Sequence, residues 1–201
     1  KIGQMLWSPS GERLALRAGA DINDPIDGRI LIASARGGTP QLIDENFEGK
    51  YEQIAWRNDS EIQFLASEST SSVLGTIGMN GSNKNIQFRS DAHAIGSFSM
   101  ADNGGLAFVA STPTHPSELF LMAGEGNVQP ERATMHNPWL NNVEMGVQEV
   151  VSYETRDGEY MIDGMLIYPV DYTEGERVPV ITVVHGGPEA HYSNGWLTGY
   201  S

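Results

Sequence analysis

The chain has no cysteine. That excludes disulfides, thiolate metal sites and a cysteine nucleophile. It leaves the compartment open between cytoplasmic and periplasmic or secreted, because a cysteine-free chain tolerates either redox environment. Basic residues are scarce, with 12 Lys and Arg against 26 Asp and Glu and a formal charge of -14. Such a surface repels phosphates, so neither a nucleic acid nor an anionic membrane is expected as a partner. No apolar run approaches the roughly 20 residues needed to span a bilayer, and no basic-then-apolar leader opens the chain. This second absence says little about secretion, since the chain begins at Lys1 rather than Met and both ends look cut.

What is present is turn chemistry and short apolar runs. The 201 residues include 23 Gly and 10 Pro, with 39% apolar and 19% charged, a profile of turn-rich β structure rather than disorder. The length is enough for one large or two small domains with a sizeable core. Self-similarity is visible. Ile54-Ala-Trp-Arg-Asn-Asp-Ser-Glu-Ile-Gln-Phe-Leu-Ala-Ser67 matches Phe98-Ser-Met-Ala-Asp-Asn-Gly-Gly-Leu-Ala-Phe-Val-Ala-Ser111 without a gap at an offset of 44 residues, and Met5 to Leu16 joins them with one insertion, placing Trp7 on Trp56. Each segment reads as a hairpin. Each is followed by a second strand-and-turn half: Gly28 to Ser34, Val73 to Ile77 and Leu119 to Met122. Two hairpins per repeat of about 45 residues match a four-stranded propeller blade.

Three blades are therefore predicted, roughly 5–46, 54–90 and 98–135. A closed propeller takes about 4 to 8, so further blades are expected before Lys1. Trp7 and Trp56 read as packing between blades rather than as ligand contacts. The carboxylate-rich insertion Asp21 to Gly28 departs from the calcium-loop spacing and reads as a solvated loop. Asn58-Asp59-Ser60 and Asn80-Gly81-Ser82 fit the glycosylation triplet inside predicted turns.

The pattern changes after the Pro- and Asn-rich stretch Pro138 to Asn142. Val147 to Glu154 and Tyr160 to Tyr168 are β-rich, the second broken at Asp163-Gly164, with Asp157-Gly158 between them as a hairpin turn of positive φ at both central positions. A charged connector from Pro169 to Pro179 follows. Five of the seven residues from Val178 to Val184 are Val or Ile, which suits a strand buried on both faces of a largely parallel sheet. His185-Gly186-Gly187-Pro188 then turns the backbone outward, and its glycines let peptide N–H groups approach an anion.

Val183-Val184-His185-Gly186-Gly187-Pro188, followed by Tyr192 and Trp196, resembles the prolyl oligopeptidase family of serine peptidases, particularly its acylaminoacyl-peptidase-like branch. The resemblance covers the whole chain as architecture but only His185 to Pro188 as a site motif. It implies all-β propeller blades, three of a larger propeller, followed by the N-terminal part of an α/β-hydrolase domain. The boundary is expected near residue 141, giving blades in 1–141 and the truncated hydrolase start in 142–201. It also implies that the Gly187 amide donates to an oxyanion, that His185 and Gly186 shape the turn and Pro188 its exit, and that Tyr192 and Trp196 line a substrate pocket or cap the core. The implied activity is hydrolysis of short peptides, with no cofactor; a homo-oligomer is compatible with it.

No Gly-x-Ser-x-Gly occurs in the chain. Gly199-Tyr200-Ser201 stands too soon after the turn, since a parallel crossover takes about a dozen residues. The Ser-Asp-His triad is therefore expected beyond residue 201, and the fragment itself is expected to be inactive. His93, His115 and His136 fall among the blades. A metal cluster of His185, Glu189 and His191 is disfavoured, because paired helical histidines at i and i+4 are needed and Pro188 intervenes. Two rivals remain: a non-catalytic propeller serving as scaffold or binding module, and an esterase or lipase, against which the repeat counts.

Overall fold

The computed structural model describes residues 1–19, 21–24, 28–124, 129–187 and 190–197. The described residues form four small antiparallel sheets and one short 3-10 turn, with no α-helix. The first sheet joins β1 (Ile2–Trp7), β2 (Arg13–Ala18), β3 (Arg29–Ser34) and β4 (Gln41–Ile43) in chain order. β5 (Lys50–Asn58), β6 (Glu61–Glu68), β7 (Ser71–Gly78) and β8 (Asn85–Ser90) make the second. The third is β9 (Ala94–Met100), β10 (Leu106–Thr112), β11 (His115–Met122) and β12 (Glu131–Arg132). These are the three blades that the repeat predicts, each starting a few residues earlier. The 3-10 turn Pro138–Asn142 leads to a hairpin of β13 (Gln148–Glu154) and β14 (Met161–Ile167).

Blades stack face to face, and this explains their burial patterns. In β6, Ile62, Phe64 and Ala66 point into a core shared with the first blade, where they meet Ile30 and Tyr51. Leu65, one position out of phase, points into a second core with Phe98, Phe108 and Phe120 of the third blade. The middle strands of the second blade are accordingly buried on both sides. Strands β10 and β11 alternate instead, leaving Val109, Leu119 and Leu121 exposed on the outer face of the third blade.

A repeated side-chain device ties the innermost strands together. Gln4 of β1 donates from Nε2 to the Ile54 carbonyl at 2.9 Å and accepts the Ile54 N–H on Oε1 at 3.0 Å. Gln53 of β5 does the same to Phe98, at 2.8 and 2.9 Å. Gln4 and Gln53 occupy equivalent positions in the repeat, and each grips the next blade's backbone one position further along. The third blade carries Ser97 there, which is too short to do so.

Four expectations are corrected. Val178 to Val184 is not a strand, and Val180, Ile181 and Val184 are 77, 89 and 81% exposed. A wholly apolar strand needs a neighbour at its edges and a layer over each face, and no strand pairs with this run among the described residues. β14 runs unbroken through Asp163-Gly164, because Asp163 pairs with Ser152 and Gly164 with Val151 in a regular register. In the turn at Asp157-Gly158 only Gly158 has positive φ, at 73°; the loop is longer than two residues, closed by Thr155 N–H on the Tyr160 carbonyl at 2.8 Å. Finally, Trp56 packs between blades and donates its indole N–H to the Leu6 carbonyl at 3.1 Å, but Trp7 is 59% exposed because no described blade lies on its side.

The two glycosylation triplets do form exposed turns, and for a specific reason. The Asn58 side-chain oxygen accepts the Ser60 N–H and hydroxyl at 2.9 and 2.7 Å, and Asn80 does the same for Ser82 at 3.1 and 2.6 Å. The insertion after Asp21 is only partly described. There the Asp21 carboxylate accepts the N–H groups of Asn23 and Asp24 at 2.6 and 3.0 Å.

Candidate functional site

His185, Gly186 and Gly187 are all exposed and lie outside every sheet. Gly187 has φ of 126°, a region open to glycine and closed to other residues without strain. Its backbone is neither locked in a ladder nor sealed in a core. His185 Nδ1 lies 3.3 Å from the Gly186 carbonyl, and its ring meets the half-buried Tyr192 ring edge-on, with centroids 6.1 Å apart. A Cβ built on Gly186 would meet nothing within 4 Å. Pro188, Glu189 and Ser201 lie outside the described residues.

The turn is thus open, and the chain is bonded to the blades from Asn194 onward. Asn194 donates its N–H to the Thr70 carbonyl at 3.2 Å and its side-chain Nδ2 to the Asp91 carbonyl at 2.6 Å. Its Oδ1 accepts from Gln148 Nε2 at 2.7 Å, and the same Gln148 nitrogen reaches the Gly195 carbonyl at 3.0 Å. Gly195 is buried so closely that an added Cβ would sit 2.5 Å from Ala94 Cβ and 2.6 Å from Ser111 Oγ. Trp196 donates its N–H to Ser111 Oγ at 3.1 Å. The structure therefore brings Tyr192 to His185 and seats the Trp196 backbone on the third blade. Neither ring belongs to either core.

Beside this segment lies an open cleft of about 860 Å³ between the β6–β7 end of the second blade and the β13–β14 hairpin. Asp44, Glu48, Glu68, Asp91 and Asp163 line it, against the cations Lys84 and Arg89. Lys84 is paired with Asp44 at 2.7 Å and Arg89 with Glu68. Asp163 accepts the Ser152 hydroxyl at 2.5 Å and the Ser69 hydroxyl, and these two bonds hold its carboxyl below the usual range. The excess of carboxylates over cations makes the wall negative, favouring a ligand's positive end over its negative one. His191 borders a smaller cavity of about 260 Å³ next to it, with Arg29, Glu48 and Lys50.

Asn194 and Gln148 escape a sequence reading. An Asn before Gly is ordinary turn composition, and nothing in the spacing links position 194 to 148, 91 or 70. The Gln4 and Gln53 clamps were visible in principle, as an identical residue at one repeat position. Among the described residues no three His, Asp or Glu side chains gather as a metal-ligand set, and no helix is long and apolar enough to cross a membrane.

No family model matches the chain. It is similar to dipeptidyl-peptidase 5 of Aspergillus fumigatus, 20% identical over 202 aligned residues that cover 96% of this chain and 27% of that protein. An uncharacterized peptidase, YuxL, of Bacillus subtilis is 27% identical over 157 residues, 76% of this chain and 23% of its own. Among solved structures, an acylaminoacyl peptidase in complex with Z-Gly-Gly-Phe-chloromethyl ketone superposes with a TM-score of 0.71 at 23% identity, over 92% of this chain and 28% of the other. The chain thus spans about a quarter of the length of these relatives. The relatives are named as peptidases, and the structural likeness shows a shared fold.

Proposed function

We propose that the chain is the junction of a serine peptidase of the prolyl oligopeptidase family, joining propeller blades to the opening of an α/β-hydrolase domain. The observation that carries this is the combination, in one chain, of stacked blades with a His-Gly-Gly turn whose Gly187 stands exposed at φ of 126°. Alignment with named peptidases over nearly the whole chain supports it.

In this proposal Gly187 donates its N–H to the oxygen that becomes negative when a serine hydroxyl adds to a peptide carbonyl. Such a donor lowers the barrier by about 2.7 to 4 kcal/mol, because it strengthens as charge develops. His185 and Gly186 set the direction of the turn, and Tyr192 buttresses His185. The nucleophile, its histidine base and the orienting aspartate are placed beyond residue 201. The substrate is a short peptide, admitted past the blades. The run Val178 to Val184 becomes the sheet strand carrying the turn once further strands lie beside it.

The test compares two proteins. The product of the complete gene should release the chromophore from peptide amides and be labelled by a fluorophosphonate at a serine beyond residue 201. The 201-residue chain should do neither. A complete gene product that is neither active nor labelled would reduce the molecule to a non-catalytic propeller.

A further inference from the structure

We infer that Asn194 is a positioning residue for the oxyanion turn, setting where Gly187 stands relative to the blades. The inference rests on the function proposed above and adds a residue to it.

The two sides of the turn are held differently among the described residues. From Val178 to Gly187 the described chain is almost wholly exposed, and no residue of that stretch joins a sheet. Seven residues after Gly187 the backbone meets the blades, and there Asn194 is bound on three sides. Its N–H goes to the β6–β7 turn at Thr70, its Nδ2 to the start of the β8–β9 connection at Asp91, and its Oδ1 receives Gln148 from the first residue of β13. These partners come from three elements that are not neighbours in sequence. A side-chain amide suits this place because one end must donate to a carbonyl while the other accepts from an amide. Aspartate keeps only the acceptor and sets a negative oxygen against the Asp91 carbonyl. Alanine keeps neither.

The following residues remove the remaining freedom. Gly195 fits between Ala94 and Ser111 with no room for a side chain, and the Trp196 N–H is taken by Ser111. The blades and the hairpin therefore hold residues 194–196 as a fixed root on the exit side of the turn, while its entry side is the run Val178 to Val184 that the proposed function seats in the sheet. Between the root and the turn, the Tyr192 ring meets His185 edge-on with centroids 6.1 Å apart, which gives a shift at Asn194 a route to the donor. Positional errors of about 1 Å in a catalytic group can cost on the order of 100-fold in rate.

The experiment uses the full-length protein carrying Asn194→Ala, Asn194→Asp or Gln148→Ala, assayed on a peptide p-nitroanilide. Binding is measured for two probes: a peptide boronic acid, whose tetrahedral serine adduct places an oxygen where the donor acts, and the unreactive peptide with a carboxamide in place of boron. For Asn194→Ala and Asn194→Asp, kcat falls on the order of 10- to 100-fold with KM nearly unchanged. Boronate affinity falls in parallel, while carboxamide affinity and melting temperature hold. Gln148→Ala gives a smaller loss of the same kind, and the double variant loses less than the product of the two. Unchanged kcat and boronate affinity would overturn the inference, as would an equal loss for both probes, which marks general loosening. Should Asn194→Ala fail to fold, the nearly isosteric Asn194→Asp and Gln148→Ala decide by the same readouts. A wild-type protein without amidase activity or fluorophosphonate labelling sinks the proposed function itself, a result distinct from an active enzyme indifferent to Asn194.

Discussion

Glu118 faces the core side of β11, in register with Phe120 and Met122, yet it is only 3% exposed and carries a charge. Its two oxygens account for this. Oε1 accepts the His136 N–H at 2.7 Å, and Oε2 accepts the Thr134 hydroxyl and lies 2.9 Å from His136 Nδ1. Led by the Thr134 hydroxyl, these bonds favour the ionised form over the opposing effect of desolvation and bring the pKa down to about 2. Because the folded value lies below the unfolded one, the associated stability is fully present above about pH 4.5 and is lost as pH falls towards about 2. Glu118→Gln should lower the melting temperature at pH 7, since an amide nitrogen cannot accept from Thr134 or His136. The gap to wild type should hold from pH 7 to about pH 4.5 and narrow below it in melts taken down to pH 3. A gap independent of pH would mean that the carboxylate charge is not what these donors hold. Gly195→Ala is the steric counterpart. With Ala94 and Ser111 already in contact range, the added methyl should cost about 1 to 3 kcal/mol in urea unfolding. Neither site was legible from composition, because the partners that define each lie far away in sequence or turn on a side-chain geometry that residue type does not reveal.

Strands were far more legible, and the blades show why. A blade strand carries its own evidence: a short apolar run, a turn residue at each end and a copy about 45 residues away. The clamp between blades belongs to this scale and can be tested there. Gln4→Ala and Gln53→Ala each leave the N–H and carbonyl of a residue in the next blade without partners, at Ile54 and Phe98. Each should destabilise the chain by about 1 to 3 kcal/mol. Ser97→Ala, at the equivalent place in the third blade, should stay within about 0.5 kcal/mol because Ser97 is exposed and grips nothing. Three equal effects in urea titrations would show that the position matters for strand propensity and not for the clamp. The hairpin β13–β14 is legible as two strands, but the length of its loop is not. An Asp-Gly pair marks a turn reliably, yet loop length depends on where cross-strand pairing stops, here at Glu154 with Met161.

At the scale of the whole molecule the informative feature is the run Val178 to Val184, whose composition specifies burial while the described structure leaves it in the open. Composition records what a segment needs; it does not record which other segments meet the need. On the proposed function that need is met in the complete protein, where this run is a central strand of the hydrolase sheet. A single substitution separates the two situations. In the 201-residue chain Ile181 is 89% exposed, so Ile181→Ala should change unfolding free energy by no more than about 0.5 kcal/mol. It should also slow aggregation, because an exposed, uncharged β-branched run is an efficient template for strand addition. In the complete protein the same change removes a buried side chain and should cost about 2 to 5 kcal/mol, the range for truncating a core isoleucine. Urea denaturation of both proteins, wild type and variant, reads the contrast directly. Equal small effects in both would mean that the run stays on the surface throughout, and the His185–Gly187 turn would then lack the sheet that a hydrolase needs beneath it.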